Sequence, residues 1–261
     1  MSTHQGEPRD LFDLTGRVAF VTGAAQGISQ AAALALARYG ADIACADLRA
    51  ESCAETVALV EALGRRAVAI DCDVADEHQV AAAADRTVST LGRVDVLFCG
   101  AGITKRVASI EIDPADWRRV IEVDLVGTFL CCQAVGRYMV AQGRGSIINV
   151  SSVAGFGAMG RGNTPYSAAK AGVIGLTREL AVEWAPLGVR VNALAPVQFK
   201  TPLISSVLAD KELTAKMLAK IPLGRMGDPE DIAGPTVFLA SDASAMVTGH
   251  ILAVDGGYLA Q

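Results

Sequence analysis

The chain has 261 residues, of which 51% are hydrophobic and only 20% charged. That balance excludes a disordered chain and suits a buried core in one large domain or two small ones. Lys and Arg number 23 against 28 Asp and Glu, a formal charge of −5. No basic excess exists to neutralise a phosphate backbone, so nucleic acid is not an expected partner.

The first ten residues, MSTHQGEPRD, are polar and lack the apolar core of a signal peptide. No apolar run approaches the roughly 18 residues that cross a bilayer. The six cysteines, at 45, 53, 72, 99, 131 and 132, form no C-x-x-C pair, which fits small buried thiols in a reducing compartment. The expectation is a soluble, cytoplasmic protein with no membrane partner and no metal.

Residues 1–13 read as an N-terminal tail. Beyond them the pattern predicts a strand at 17–22, a helix at 27–39, a strand at 42–46 and a helix at 51–63. A strand at 67–71, a helix at 76–91, a strand at 94–98 and a long helix at 115–142 follow. The remainder reads as strand 146–150, helix 165–185, strand 189–194, helical stretches at 202–220 and 228–240, and strand 250–254. Each strand run is short and mostly unbroken by polar alternation, as in strands buried on both faces. Their alternation with helices predicts an α/β fold, a doubly wound parallel sheet of about seven strands in one domain over 14–261. Asp113-Pro114 and Asp228-Pro229-Glu230-Asp231 read as helix starts, with Asp at the N-cap and Pro at the first helical position.

After the first strand, Thr22-Gly23-Ala24-Ala25-Gln26-Gly27-Ile28-Ser29 leads straight into a helix. Such a turn brings backbone N–H groups to a pyrophosphate at the helix N-terminus. Asp47 closes the second strand, about 20 residues past Gly27, where an acid bonds the ribose hydroxyls. A carboxylate there repels a 2′-phosphate, so NAD is the expected cofactor ahead of NADP. Arg49 would offset part of that repulsion, and Asp47 as a plain strand cap is the bland alternative.

Downstream, Tyr166 and Lys170 stand four residues apart in a helical stretch and so share a face. They follow the strand Ile147-Ile148-Asn149-Val150-Ser151-Ser152, which delivers hydroxyls at its carboxyl end, where open α/β sheets bind ligands.

With these segments in order, the chain resembles a short-chain dehydrogenase/reductase from about Leu14 to the C-terminus. Also in the pattern are Asp73-Val74, Cys99–Gly102, residues 189–196 with Thr201-Pro202, and Val254-Asp255-Gly256-Gly257. The resemblance implies a Rossmann fold and an NAD(P)-dependent alcohol dehydrogenase. It implies Tyr166 as general base for alcohol oxidation and general acid for carbonyl reduction. Ser152, with Ser151 as fallback, would hydrogen-bond the substrate oxygen; the gap from Ser152 to Tyr166 is about one residue longer than usual in the family. Lys170 would hold the ribose hydroxyls and lower the Tyr166 pKa. Moving a tyrosine from about 10 to about 7 takes roughly 4 kcal/mol, which one positive charge at about 4 Å in a dielectric near 20 supplies. For the cofactor the resemblance implies Gly23, Gln26, Gly27, Ile28, Asp47, Asp73, Val74, Gly100, Ala101, Tyr166, Lys170, Pro196 and Thr201. Asn192 and Ala195 would also lie near the nicotinamide, although Asn149 and Asn192 read equally well as satisfied strand residues.

Four positions depart from the family pattern. Ser29 stands at the third glycine, Cys99-Gly100-Ala101-Gly102 replaces Asn-Asn-Ala-Gly, and Val197 replaces a glycine. Asp124 replaces the Asn of the catalytic tetrad, which in the family supports a water chain from the lysine. An Asp keeps an acceptor of similar size, so a relay with a shifted pH optimum is expected, and loss of activity is the harsher alternative.

The loops at 103–107, 153–164 and 197–208 should form the substrate mouth. They bring Lys105, Arg106, Arg161, Asn163, Gln198 and Lys200 against Phe156, Met159, Phe199 and Leu203. That mixture suits an oxygen-rich, anionic small molecule. The segments 221–225 and 255–260 are similar to those of gluconate, deoxygluconate and polyol dehydrogenases, implying oxidation of a secondary hydroxyl on a sugar, sugar acid or polyol. The alternatives are an NADPH-dependent 3-oxoacyl-type reductase and a catalytically weak dinucleotide-binding protein. The resemblance also implies a homotetramer, for which Val120, Val123, Phe129, Val135, Leu176 and Leu180 are the candidate contact positions.

Overall fold

A computed structural model describes residues 10–158, 160 and 162–261. Strand and helix alternate as β1 (Val18–Thr22), α1 (Gly27–Arg38), β2 (Asp42–Asp47), α2 (Ala54–Ala62), β3 (Ala67–Asp71) and α3 (Glu77–Leu91). The chain then crosses to β4 (Val96–Cys99), α4 (Pro114–Ile121), a π-helical turn at Glu122–Val126, and α5 (Gly127–Gln142). It continues through β5 (Gly145–Val150), α6 (Thr164–Trp184), β6 (Val189–Pro196), α7 (Ser205–Leu208), α8 (Lys211–Leu218), α9 (Ala233–Ala240) and β7 (Ile251–Val254).

The seven strands form one sheet in the order β3-β2-β1-β4-β5-β6-β7, every neighbouring pair parallel. Alternate residues of each strand point to opposite faces, and the apolar side chains divide accordingly. Phe20, Leu97 and Ile147 pack with Val135 and Met139 of α5 and Leu180 of α6. Val21, Phe98 and Ile148 pack with Ala32 and Leu36 of α1, Val60 of α2 and Leu239 of α9. Both faces are thus covered, which is why the strand runs show no polar alternation. β1 pairs with β2 on one side and β4 on the other, so the chain reverses its direction of travel there. The crevice at the carboxyl ends of β1 and β4 is the natural ligand site of such a sheet.

Three predicted elements differ in detail. The long helix at 115–142 is interrupted by the π-helical turn, an insertion that such folds commonly place at functional sites. The stretch 202–220 breaks into a short turn, α7 and α8, because the Asp210 carboxylate accepts from the Leu213 N–H and starts α8 anew. β6 extends to Pro196, carried by pairing with Ala253 and Val254 of β7. Within the predicted tail, the Leu11 carbonyl accepts from Ala243 N–H, and residues 1–9 lie outside the described residues. No helix among the described residues is long and apolar enough to cross a membrane.

All six cysteines are free and buried, and burial pushes the thiols of Cys45, Cys53 and Cys72 up to about 12. They act as small apolar side chains. Asn149 is also a core residue: its Nδ2 donates to Thr177 Oγ1 at 3.0 Å and its Oδ1 accepts from Cys132 Sγ. Asn192 donates to the Val247 carbonyl and accepts from His250 N–H, tying β6 to the approach of β7 and not to a ligand. Thr177→Val should therefore cost about 1–3 kcal/mol by stranding the Asn149 amide. Urea unfolding should show a lower midpoint at an unchanged m-value.

Candidate active site

The crevice begins where β1 hands over to α1. Gln26 at the helix entrance makes no side-chain cap, and the first turn carries no acid. The first N–H groups of α1 are therefore left to a ligand, in a positive helix-terminal field suited to phosphate. Gly23 adopts φ +68°, and a Cβ there would lie 3.0 Å from the Ala101 backbone. Thr22 Oγ1 accepts from the N–H groups of Gly100 and Ala101 at 3.1 and 3.3 Å, clamping the two loops together. The Asp47 carboxylate accepts from Ala25 N–H at 3.1 Å and from Leu48 N–H at 2.8 Å. That places it on the lip of the turn. Asp73 accepts from Ala75 N–H and pairs with Arg119 at 3.1 Å.

One cavity of about 490 Å³ takes in Asp47, Gly23, Gly27, Ser152, Tyr166 and Lys170. Its walls include every other predicted cofactor position, namely Gln26, Ile28, Asp73, Val74, Gly100, Ala101, Pro196 and Thr201, and also Asp124. Asn192 and Ala195, also placed near the nicotinamide by the sequence, do not line it. The uncapped helix end, the glycine that admits close approach and a cavity lined from Asp47 to Lys170 fit an extended dinucleotide. Among the described residues no cluster of His, Cys, Asp or Glu could hold a metal ion.

At the far end, β5 delivers two serines that differ in their commitments. Ser151 Oγ donates to the Lys170 carbonyl at 2.8 Å and so fastens β5 to α6. Ser152 Oγ accepts from Ala154 N–H at 3.1 Å, and its own proton is within reach of the Pro196 carbonyl, at 3.5 Å, and of the Tyr166 phenol. The Ser152 hydroxyl is thus the one with a proton to offer. Lys170 is buried, donating from Nζ to the Val150 carbonyl at 2.9 Å and pairing with Asp124 Oδ2 at 3.1 Å. Its ammonium lies 5.4 Å from the centroid of the Tyr166 ring. The other oxygen of Asp124, a residue with no solvent exposure, accepts from Ile103 N–H at 2.8 Å.

The charges qualify the sequence-based arithmetic for Tyr166. Burial pushes the phenol up, Lys170 pulls it down, Asp124 pushes it up again, and the sum lies above the ordinary tyrosine value. The Lys170 charge acts in the expected direction but is opposed by a carboxylate that the arithmetic omitted. Burial raises Asp124 against the pull of Lys170. For Lys170 burial works against the charge, and Asp124 together with Tyr166 and Cys99 outweighs it, so the ammonium is held.

Comparison with known proteins now bears on the same residues. A family model described as Enoyl-(Acyl carrier protein) reductase matches residues 23–259. Cis-4-hydroxycyclohexanecarboxylate dehydrogenase of Sinomonas cyclohexanicum is 48% identical, across 94% of this chain and 97% of its own. The chain belongs to the short-chain dehydrogenase/reductase family. A further member, 2-dehydro-3-deoxy-D-gluconate 5-dehydrogenase of Escherichia coli (strain K12), is 40% identical over 96% of this chain and 98% of its own. A gluconate 5-dehydrogenase from Burkholderia cenocepacia J2315, solved in complex with NADP and tartrate, superposes with a TM-score of 0.93 at 37% identity. That match covers 97% of this chain and 98% of the other. The protein is an NAD(P)-dependent alcohol dehydrogenase of this family.

Within the family frame, two departures explain each other. A Cβ at Gly100 would overlap Ser29 Oγ and crowd the Phe98 ring. Ser29 is buried, and it occupies space that a side chain at position 100 would need.

The substrate mouth differs from its sequence-based list. Arg106, Asn163, Gln198, Phe199 and Leu203 line the cavity. Lys105 instead pairs with Asp116 at 2.8 Å, and Lys200 with Asp228 at 2.9 Å. Phe156 is exposed and does not line the cavity, and Met159 and Arg161 lie outside the described residues. The sequence reading missed Leu48, Arg119 and Met217 as lining residues, and no motif or spacing marks them; Ile204 falls within the 197–208 loop expected at the mouth.

If Ser29 and Gly100 are complementary, Gly100→Ala should cost about 1–3 kcal/mol by overpacking. Adding Ser29→Gly should restore part of that loss, and thermal unfolding of the single and double variants measures the coupling.

Proposed function

We propose that this dehydrogenase oxidises a secondary hydroxyl of a sugar, sugar acid or polyol, reversibly, using NAD and a Ser152-Tyr166-Lys170 site. The carrying observation is the convergence of the Ser152 hydroxyl, the Tyr166 phenol that it hydrogen-bonds and a buried Lys170 in the same cavity as Asp47. Bound nicotinamide dinucleotide supplies or accepts the hydride. The chain's own part is to hold and move one proton. Ser152 donates to the substrate oxygen and fixes it beside Tyr166. Tyr166 Oη takes the hydroxyl proton in oxidation and returns it in reduction. Lys170 holds the ribose hydroxyls and steadies the charge that forms on the phenol.

Asp47 supports NAD, since its carboxylate stands at the β2 end where a 2′-phosphate would have to sit. The competing choice is NADP, which the related gluconate 5-dehydrogenase carries. Support for an acidic, oxygen-rich substrate comes from Arg106, Asn163 and Gln198 in the cavity wall and from the hydroxy-acid relatives. Arg106 is the group we assign to the substrate carboxylate; its charge is felt at Tyr166. A second reading is an NADPH-dependent 3-oxoacyl-type reductase, supported by a 41% identical relative from Thermotoga maritima named 3-oxoacyl-[acyl-carrier-protein] reductase. A catalytically weak dinucleotide-binding protein is the third; it predicts cofactor binding without turnover.

The assembly we propose is a cytoplasmic homotetramer, and the burial pattern alters which residues would build it. Val120, Val123, Val135 and Leu180 are spent in the core of the single chain. Phe129 on α5, at 39% exposure, and Val182 on α6, at 78%, remain on the outside. Light scattering would then give four times the 27.0 kDa chain mass.

The experiment is a panel of sugar acids, polyols and 3-oxoacyl thioesters assayed with NAD and NADP in parallel. Turnover of a hydroxy acid with NAD is expected, with Tyr166→Phe reducing kcat about 10²–10⁴-fold. Arg106→Met should raise KM for the acid and leave an uncharged polyol nearly unchanged. Asp47→Ser should move the cofactor preference about tenfold or more toward NADP, since it removes about 1.4 kcal/mol or more of repulsion. Preference of the unmodified enzyme for NADP would overturn the reading of Asp47. Turnover of the thioesters alone would favour the second reading.

A further inference from the structure

The pairing of Lys170 with Asp124 has a consequence for the acid-base chemistry, and it rests on the reading of Tyr166 as the proton-transferring group. Two fully desolvated charges are costly to bury and persist only when paired and hydrogen-bonded. Here the two ions are paired, and each has a backbone hydrogen bond of its own, although Asp124 Oδ2 meets the ammonium outside hydrogen-bonding geometry. Asp124 binds the ammonium at 3.1 Å with one oxygen and Ile103 N–H with the other, while Lys170 also donates to Val150. The carboxylate is aimed by the π-helical turn Glu122–Val126, whose Asp124 carbonyl is in turn tied by Thr128 Oγ1 at 2.9 Å.

We propose that Asp124 is a positioning residue that serves as the fixed counter-ion of Lys170. In that role it cancels at Tyr166 much of the charge that would favour a phenolate, so that near neutral pH the site is set to donate a proton to a carbonyl. The groups facing the phenol are Lys170 on its own helix, Asp124 from the π-helical turn, Ser152 from the segment after β5 and Arg106 from the loop after β4. Lys170 also feels the Cys99 thiol of β4. Among these, Asp124 is the anion. An uncompensated ammonium acts over distance as a full charge, whereas an ion pair acts as a dipole whose field falls off faster.

In reduction the carbonyl carbon receives a hydride from the reduced nicotinamide, and its oxygen receives the Tyr166 Oη proton. The products are the alcohol, oxidised nicotinamide and a phenolate that regains its proton from solvent. Reduction therefore uses the form of Tyr166 that predominates near neutral pH. Oxidation needs the scarce phenolate and gains rate as the pH rises.

The test reads Tyr166 directly in the cofactor-free protein. Tyrosinate absorbance is titrated for the wild type and for Asp124→Asn, each minus its Tyr166→Phe counterpart. The ionisation of Tyr166 should fall by about one pH unit or more in Asp124→Asn. The acid limb of kcat/KM for alcohol oxidation should move down with it. The Asp124→Asn, Lys170→Met pair removes both charges and should return the ionisation close to the wild-type position. An ionisation that stays in place when Asp124 is neutralised, or a double variant that departs from the wild type as far as the single one, overturns the proposal. Turnover that survives Tyr166→Phe would instead overturn the reading of Tyr166 itself, and the absorbance titration would still decide the role of Asp124.

Discussion

The buried ion pair between Lys170 and Asp124 is the interaction on which the site depends. It joins four pieces of chain that meet at the carboxyl edge of the sheet. These are α6 through Lys170, the π-helical turn through Asp124, β5 through the Val150 carbonyl, and the loop after β4 through Ile103 N–H. Ser151 adds a second tie from β5 to α6, which leaves Ser152 to face the cavity. Lys170 and Ser152, two members of the proposed trio, are thereby held by contacts that lie behind them. A parallel sheet makes this possible because it brings the ends of non-consecutive strands to one edge and covers both faces with helices.

The same edge shows how a chain can leave its family's pattern without losing the architecture. Ser29 fills space beside Gly100, where a side chain would collide. Thr22 Oγ1 bonds the loop N–H groups of Gly100 and Ala101 and holds the loop against the end of β1. Cys99 lies fully buried beside Cys131 and Cys132, a small apolar contact in place of a polar one. The phosphate end and the catalytic end therefore remain in register, although several residues between them have changed.

Much of the fold was legible because burial on both faces leaves a strong trace, namely short apolar runs separated by helical periodicity. The Rossmann-type order and the glycine turn followed from that trace, and the Tyr166 and Lys170 pair followed from its spacing on a helix. What stayed hidden depended on three-dimensional company. The π-helical turn at Glu122–Val126 has no one-dimensional signature, since its residues keep helical spacing with the segments on either side. Asn149 and Asn192 could not be assigned until their partners Thr177, Val247 and His250 were seen. Lys105 and Lys200 read as mouth cations, yet each is turned aside by a nearby Asp. Val135 and Leu180, contact candidates by sequence, are claimed by packing on the sheet, and Val120 is buried within the single chain. The charge on Tyr166 was misjudged for the same reason, since the arithmetic counted the cation without its counter-ion.

The account stands or falls on where Lys170 and Asp124 lie when the dinucleotide is bound. A crystal structure of the complex with NAD tests this most directly. The account predicts the dinucleotide stretched from Asp47 to Tyr166, with Lys170 on the ribose hydroxyls and still paired with Asp124 at about the 3.1 Å of the free protein. A lysine drawn away from Asp124 by the ribose, or a cofactor lying outside this cavity, would contradict it.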